Sequence, residues 1–484
     1  MTPLVIVVTI IAYFLFLIGI AQYTKGKADN AAFFSGNKNS KWYLVAFGMI
    51  GASLSGVTFL SVPGQVGGNA FSYMQMVVGY LLGYTFIALV LIPMYYRLNL
   101  VSIYQYLETR FGVSAHRTGS AFFLLSRIVG AAFRLFLVAG VLHYFLFSAY
   151  DIPFIFTTII TVVLIWVYTF QGGIKTIVVT DTLQTSFMIF ALLFAIYYIM
   201  KDLNFSFGEL WDQADAAGYT KTVFLENFAS SKLHFAKQFF SGALIALVMT
   251  GLDQDMMQKN LTCKNVEEAQ KNIFSMSVLL IPINFLFLCL GAFLFLYASS
   301  KGIIVPDRVD YLFPEIALNH FPLAVGIIFL LGLIAAAYSS ADSALTSLTT
   351  AFCVDFLGMH KEEKARDKST RLKVHLAFSA IIILVVWLFD SLGDESVITN
   401  IFKFAGYTYG PLLGLFIFGL FTKFKVRDKF IPLVCLLSPI LTYLVATYSP
   451  ELIAYTFGYE LLLVNGGITF AGLLAITQFN EKAE

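Results

Sequence analysis

The chain has 484 residues, 58% of them hydrophobic and only 12% charged, whereas a water-soluble domain carries about 25% charged residues. Its 31 basic and 29 acidic residues leave a formal charge of +2, too nearly balanced to supply the field of a nucleic-acid-binding surface. Composition therefore excludes a soluble globule and a polyanion binder, and points to a chain whose main solvent is lipid.

Apolar runs of about 20 residues, the length that crosses a bilayer, recur from end to end. In chain order the predicted spans are Leu4 to Tyr23, Tyr43 to Gly68, Tyr73 to Tyr96, Ser120 to Ser148, Pro153 to Phe170, Thr176 to Met200 and Phe235 to Leu252. Then follow Ile273 to Tyr297, Pro322 to Val354, Val374 to Phe389, Val397 to Phe421, Phe430 to Tyr448 and Leu461 to Gln478, thirteen in all. No basic residue precedes the first run, and Lys25 and Lys27 follow it. An export signal has the reverse order, so this run reads as a span that leaves the N-terminus outside.

Counting alternately from an external N-terminus puts 22 Lys and Arg on internal segments and 6 on external ones, with Arg127, Arg134 and Lys403 inside spans. That asymmetry is the positive-inside rule, and it places the C-terminus in the cytoplasm. The longest external connection, Lys201 to Lys237, mixes aromatic residues with acids and reads as an interfacial or short helical cap. The internal stretch NLTCKNVEEAQKN reads as a short surface helix. Cys263, Cys289, Cys353 and Cys435 lie far apart, without the spacing of a zinc site or a disulfide framework. Phosphate-binding loops, GxSxG elbows and HExxH helices are absent, so the chain does not read as an enzyme.

In hydrocarbon the informative positions are polar groups and helix breakers, because each costs several kcal/mol unless satisfied. The second span, GMIGASLSGVTFLSVPGQVGG, mixes glycines and Pro63 with Ser53, Ser55, Thr58 and Ser61. A helix unwound there frees carbonyls for an ion, a solute or a neighbour, although close packing through small residues accounts for the span equally well by itself. In the ninth span Ala336, Ser339, Ser340 and Ser343 fall at i, i+3, i+4 and i+7 on one small, oxygen-rich face. A hard cation takes several such oxygens, and Asp342 in the same span is by default a functional candidate. Arg127 and Arg134, seven residues apart on the fourth span, share a face. Such a guanidinium either clamps a substrate carboxylate or pairs with a protein acid. Asp181 lies about one turn into the sixth span.

Six segments, GASLSGVTFLSVPG, YLETRFG, GGIKTIVVTDTLQ, GLDQDMMQKNLT, AAAYSSADSALTS and YGPLLGLFIFGLF, follow one another as in the sodium/solute symporter family, which the whole chain resembles. The resemblance implies a bacterial inner-membrane symporter, all-α and polytopic, with a LeuT-type core of two inverted five-helix repeats and discontinuous helices. The repeats would be residues 43–200 and 235–421, with an extra span 4–23 before them and spans 430–478 after. The topology agrees with the inversion, since span two runs outward and span seven inward. The resemblance further implies a sodium site on the carbonyls of Gly51, Leu54 and Ala336 and the hydroxyls of Ser339 and Ser340. A second cation site would use Asp181, Ser339, Asp342 and Ser343. The solute would meet Ser55, Thr58, Phe59, Gln75, Arg127, Phe404 and Tyr407.

The cargo expected is Na+ with a small organic solute, Arg127 favouring a carboxylated one such as a sialic acid, a monocarboxylate or an amino acid. Beyond these and the lipid bilayer no partner is implied, neither nucleic acid nor an obligatory protein. A proton-coupled or sugar-specific carrier of the same fold, and a non-accumulating sensor or channel, remain the alternatives.

Overall fold

The computed structural model describes residues 2–24, 40–169, 173–359, 367–389 and 397–482. The basic clusters expected at 25–39 and 360–366, and the end of the fifth span at Phe170, lie outside these residues. The long apolar runs fold as helices: α1 (Pro3–Thr24), α2 (Trp42–Asn69), α3 (Tyr73–Arg97), α4 (Val113–Phe147), α5 (Phe154–Thr169) and α6 (Gly173–Leu203). The connection from Lys201 to Lys237, expected outside, contains α7 (Phe207–Ala216), a short helix closed at its start by reciprocal hydrogen bonds between Ser206 and Glu209. The second half comprises α8 (Phe235–Gly251), α9 (Gln254–Asn260), α10 (Val266–Lys301), α11 (Leu323–Phe356), α12 (Lys368–Phe389), α13 (Val397–Thr408), α14 (Gly410–Phe421), α15 (Asp428–Ile453) and α16 (Leu461–Ala475).

Among the described residues nine helices are long and apolar enough to cross a bilayer, or eleven if the bent pairs α8–α9 and α13–α14 each count once; α5 and α16 are shorter apolar helices. The structure corrects three expectations. The stretch NLTCKNVEEAQKN is not a surface helix. Its start ends the buried α9, and the rest forms the first turns of α10, capped by the Asn265 side chain on Glu268 N. The segment from Asp253, assigned to an internal loop, is buried through Asn260. The last apolar run gives way after Ala475 to a strand, Thr477–Lys482, paired antiparallel with Phe424–Val426.

Contacts between connections sort them into two groups. Ser40 bonds to Thr262 O, Arg110 reaches the carbonyls of Thr422 and Phe424, and the strand pair joins residue 424 to residue 482. On the other side Phe71 N bonds to Lys221 O, and Thr456 N to Ala229 O. These are the groups that alternation along the chain assigns to opposite faces.

At the centre stands α2, buried on nearly every side and packed on α6, α10 and α11, while α1 and α15 turn most of their surface outward. A helix apolar all round belongs in such a place, yet α2 is interrupted: Ser55 has φ 50° and ψ 172°. Only glycine adopts that backbone readily, and another residue there costs about 1–3 kcal/mol. Ser55→Gly is therefore expected to raise the apparent Tm and Ser55→Val to lower it by several degrees, read by thermal unfolding in detergent. A Ser55→Val protein that melts with the wild type would mean that the helix runs through.

Candidate sodium and solute site

Among the described residues three helices are broken within the bundle, and the fate of the carbonyls at each break differs. Between α8 and α9 the chain turns by 68°. There the hydroxyls of Tyr95 and Tyr104 donate to Gly251 O and Leu252 O, both at 2.8 Å. Between α13 and α14 the turn is 47°, and Asn465 Nδ2 donates to Gly406 O at 2.9 Å and Tyr407 O at 2.8 Å. At Ser55 in α2 no described side chain donates to the carbonyls of Gly51 or Leu54. The last carbonyls before a break have no intrahelical donor, and in hydrocarbon something else must satisfy them.

What faces this break is α11. Gly56 abuts the backbone of Ala337, with room for no more than ordinary contact at 3.5 Å to a Cβ placed there, and Gly51 lies against Thr185 of α6. Ala336, Ser339 and Ser340 are all buried, the two serines at 1% exposure. Ser340 Oγ makes only a long hydrogen bond, 3.4 Å to Ala336 O. Ser339 Oγ donates its proton to Asp181 Oδ1 at 2.6 Å, which leaves its lone pairs unused. The expected sodium oxygens thus belong to two helix segments in contact, deep in the bundle and away from lipid.

Of the expected second cation site, the structure joins Asp181 to Ser339 through that hydrogen bond. Ser343 bonds back to Ser339 O at 2.9 Å, and Asp342 Oδ1 accepts Ser343 N at 2.5 Å. Asp181 is fully buried, and its other oxygen lies 2.7 Å from Lys259 Nζ.

Beside the break a cavity of about 710 Å³, mouth included, runs between α2, α3, α4, α8 and α13. Ser53, Ser55 and Thr58 present hydroxyls from α2, and Tyr73, Tyr80 and Tyr84 form one wall from α3. Asn284 adds a carboxamide whose Oδ1 has no hydrogen-bond partner among the described residues. Both Arg127 and Arg134 line the cavity, and both continue into a smaller adjoining pocket that includes Phe404.

Several residues assigned by resemblance sit elsewhere. Phe59 is wholly buried in an aromatic cluster with Phe287, Phe313 and Phe329. Gln75 braces the external connection, donating to Leu233 O at 2.9 Å and accepting from Phe224 N at 3.1 Å. Tyr407 packs near Tyr443 outside both cavities. Arg127 is already paired: it bonds to Asp255 and stands 3.9 Å from Asp253, whose Oδ2 also accepts the Tyr409 hydroxyl at 2.5 Å. Arg134 is buried in the cavity wall with neither an ion pair nor a hydrogen bond to a described residue. The sequence offered two equivalent arginines. The acids that meet Arg127, Asp253 and Asp255, were hidden because they read as loop.

With this geometry in view, known proteins supply the frame. The sequence profile of the sodium:solute symporter family matches residues 33–427. The sodium/sialic acid symporter NanT of Aliivibrio fischeri is 24% identical over 423 residues, covering 84% of this chain and 80% of that protein. SiaT of Proteus mirabilis, also a sodium/sialic acid symporter, is 24% identical over 459 residues, covering 91% and 89%. A solved structure of the substrate-bound outward-open state of a Na+-coupled sialic acid symporter superposes with a TM-score of 0.82, at 19% identity and 97% coverage of both chains. The fold is thus the LeuT-type bundle expected, and the chain belongs to the sodium:solute symporter family.

Proposed function

We propose that the protein imports a small carboxylated solute together with sodium by alternating access across a bacterial inner membrane, N-terminus outside and C-terminus in the cytoplasm. One observation carries the reading. Of the three helix breaks, only the one at Ser55 lacks side-chain donors for its carbonyls among the described residues, and it packs on α11, the helix that carries the buried Ser339 and Ser340. A sodium ion held by the Gly51, Leu54 and Ala336 carbonyls and the Ser339 and Ser340 hydroxyls would satisfy both helices at once. The two sides of that site come from the proposed repeats 43–200 and 235–421, so a bound ion ties them together, with span 4–23 and spans 430–478 outside the pair.

Arg134 supports the choice of a carboxylated solute. A buried guanidinium without a partner is costly, and a solute carboxylate entering the cavity would pair with it bidentately. Arg127, committed to Asp255, would instead hold α4 to α9. The hydroxyls of Ser55 and Thr58, the α3 tyrosines and Asn284 suit the hydroxyls and amides of a larger body, consistent with the sialic acid that relatives NanT and SiaT carry. One sodium ion moving down about 100 mV releases about 2.3 kcal/mol, and a tenfold gradient adds about 1.4. Together they drive a several-hundred-fold accumulation, provided the ion binds the two conformations unequally.

In proteoliposomes, Ser340→Ala is expected to abolish sodium-stimulated uptake of sialic acid or another carboxylated solute identified by stabilisation in sodium but not potassium. Undiminished sodium dependence would reject the site. Arg134→Gln should lose uptake by tenfold or more while melting near the wild type. Arg127→Gln should melt well below it, because removing one partner of a buried ion pair costs about 3–5 kcal/mol. Equal melting of the two variants would contradict this division of labour.

A further inference from the structure

The two oxygens of the Asp181 carboxylate have different neighbours. Oδ1 takes the Ser339 hydroxyl at 2.6 Å, and Oδ2 lies 2.7 Å from the ammonium of Lys259. Lys259 belongs to α9, the short inner leg of the broken helix, and its side chain is 1% exposed. An ammonium carries three donors, yet Lys259 Nζ stands in hydrogen-bond geometry with no described acceptor. At 2.7 Å it rests against the carboxylate and balances its charge. The carboxylates of Asp255 and Asp342 act on the same ammonium.

We propose that the Lys259 ammonium occupies the place of a second sodium ion beside Asp181, so that the protein binds and moves a single sodium per cycle. This rests on the sodium-symport reading above. A mobile cation at Asp181, Ser339, Asp342 and Ser343 would need the Asp181 carboxylate open to it. In the low dielectric of the bundle two cations cannot share that carboxylate, since like charges at contact distance repel by several kcal/mol. A buried carboxylate left alone there would be equally costly. A tethered ammonium neutralises it in every copy of the protein, at any sodium concentration, and never leaves with the solute. The other oxygen of the same carboxylate accepts the Ser339 hydroxyl.

The test counts ions directly and needs no solute: equilibrium binding of radiolabelled sodium to purified protein in detergent, alongside thermal unfolding to verify folding. The wild type should bind one equivalent with a Hill coefficient near unity. Lys259→Gln should expose the carboxylate and bind a second equivalent, and adding Asp181→Asn should remove it again. Should Lys259→Gln not fold, the neutral double variant Asp181→Asn/Lys259→Gln strands no charge and is expected to bind one equivalent. Two equivalents on the wild type, one on folded Lys259→Gln, or none on the folded double variant overturns the proposal while leaving sodium symport standing. A wild type that binds no sodium removes the symport reading and this proposal together.

Discussion

Breaking a helix inside hydrocarbon exposes backbone groups that water cannot reach, and the arrangement of this bundle follows from how those groups are satisfied. The break at Leu252 and Asp253 is closed by Tyr95 and Tyr104, and the one after Thr408 by Asn465. At Ser55 no described side chain does this, and the helix packed against the break is α11, which carries the buried Ser339 and Ser340. Hydroxyls on one side and carbonyls on the other make a poor permanent seal but a good cage for a small hard cation. Two of the breaks are filled by protein, and on the reading proposed above the third would be filled by a ligand.

Charge obeys the same constraint. The helix α9 has seven residues, all buried, and a segment so short cannot be stable by propensity. It is held by its side chains. Asp253 caps its first turn and receives the Tyr409 hydroxyl. Gln254 exchanges hydrogen bonds with Ile103 N and Val101 O, both at 2.9 Å, Asp255 pairs with Arg127, and Lys259 pairs with Asp181. Each ion pair brings together two groups that would be costly alone. Through these contacts α9 is joined to α4, α6 and the turn between α13 and α14, and so touches both the cavity wall and α11.

The two arginines of α4 show how far a sequence can be read. Their spacing puts both on one face, and nothing in the chain distinguishes them. The difference arises because α9 folds back so that Asp255 meets Arg127 and leaves Arg134 to the cavity. Similarly, Phe59 and Gln75 belong to the right helices, but rotation about the helix axis sends one into an aromatic cluster and the other to the external connection. Asp253 and Asp255 read as loop because acids interrupt the apolar run. Signals for the buried break were present in GLDQD, where Asp253 stands as a helix cap before good helix formers.

Hydrophobic run length fixed the helices, and basic-residue asymmetry the alternation of their connections, because both depend on transfer between water and lipid, residue by residue. The small-residue stretch around Ser55 and the serine face at 336–343 were likewise legible, since local composition sets where a helix breaks and which face is polar. Which charge meets which depends on contacts between helices far apart in the chain: Asp255 with Arg127, Lys259 with Asp181, Arg134 with none described. Coulomb energy in a low-dielectric interior varies steeply with a few ångströms of separation, and only the packed bundle sets those distances.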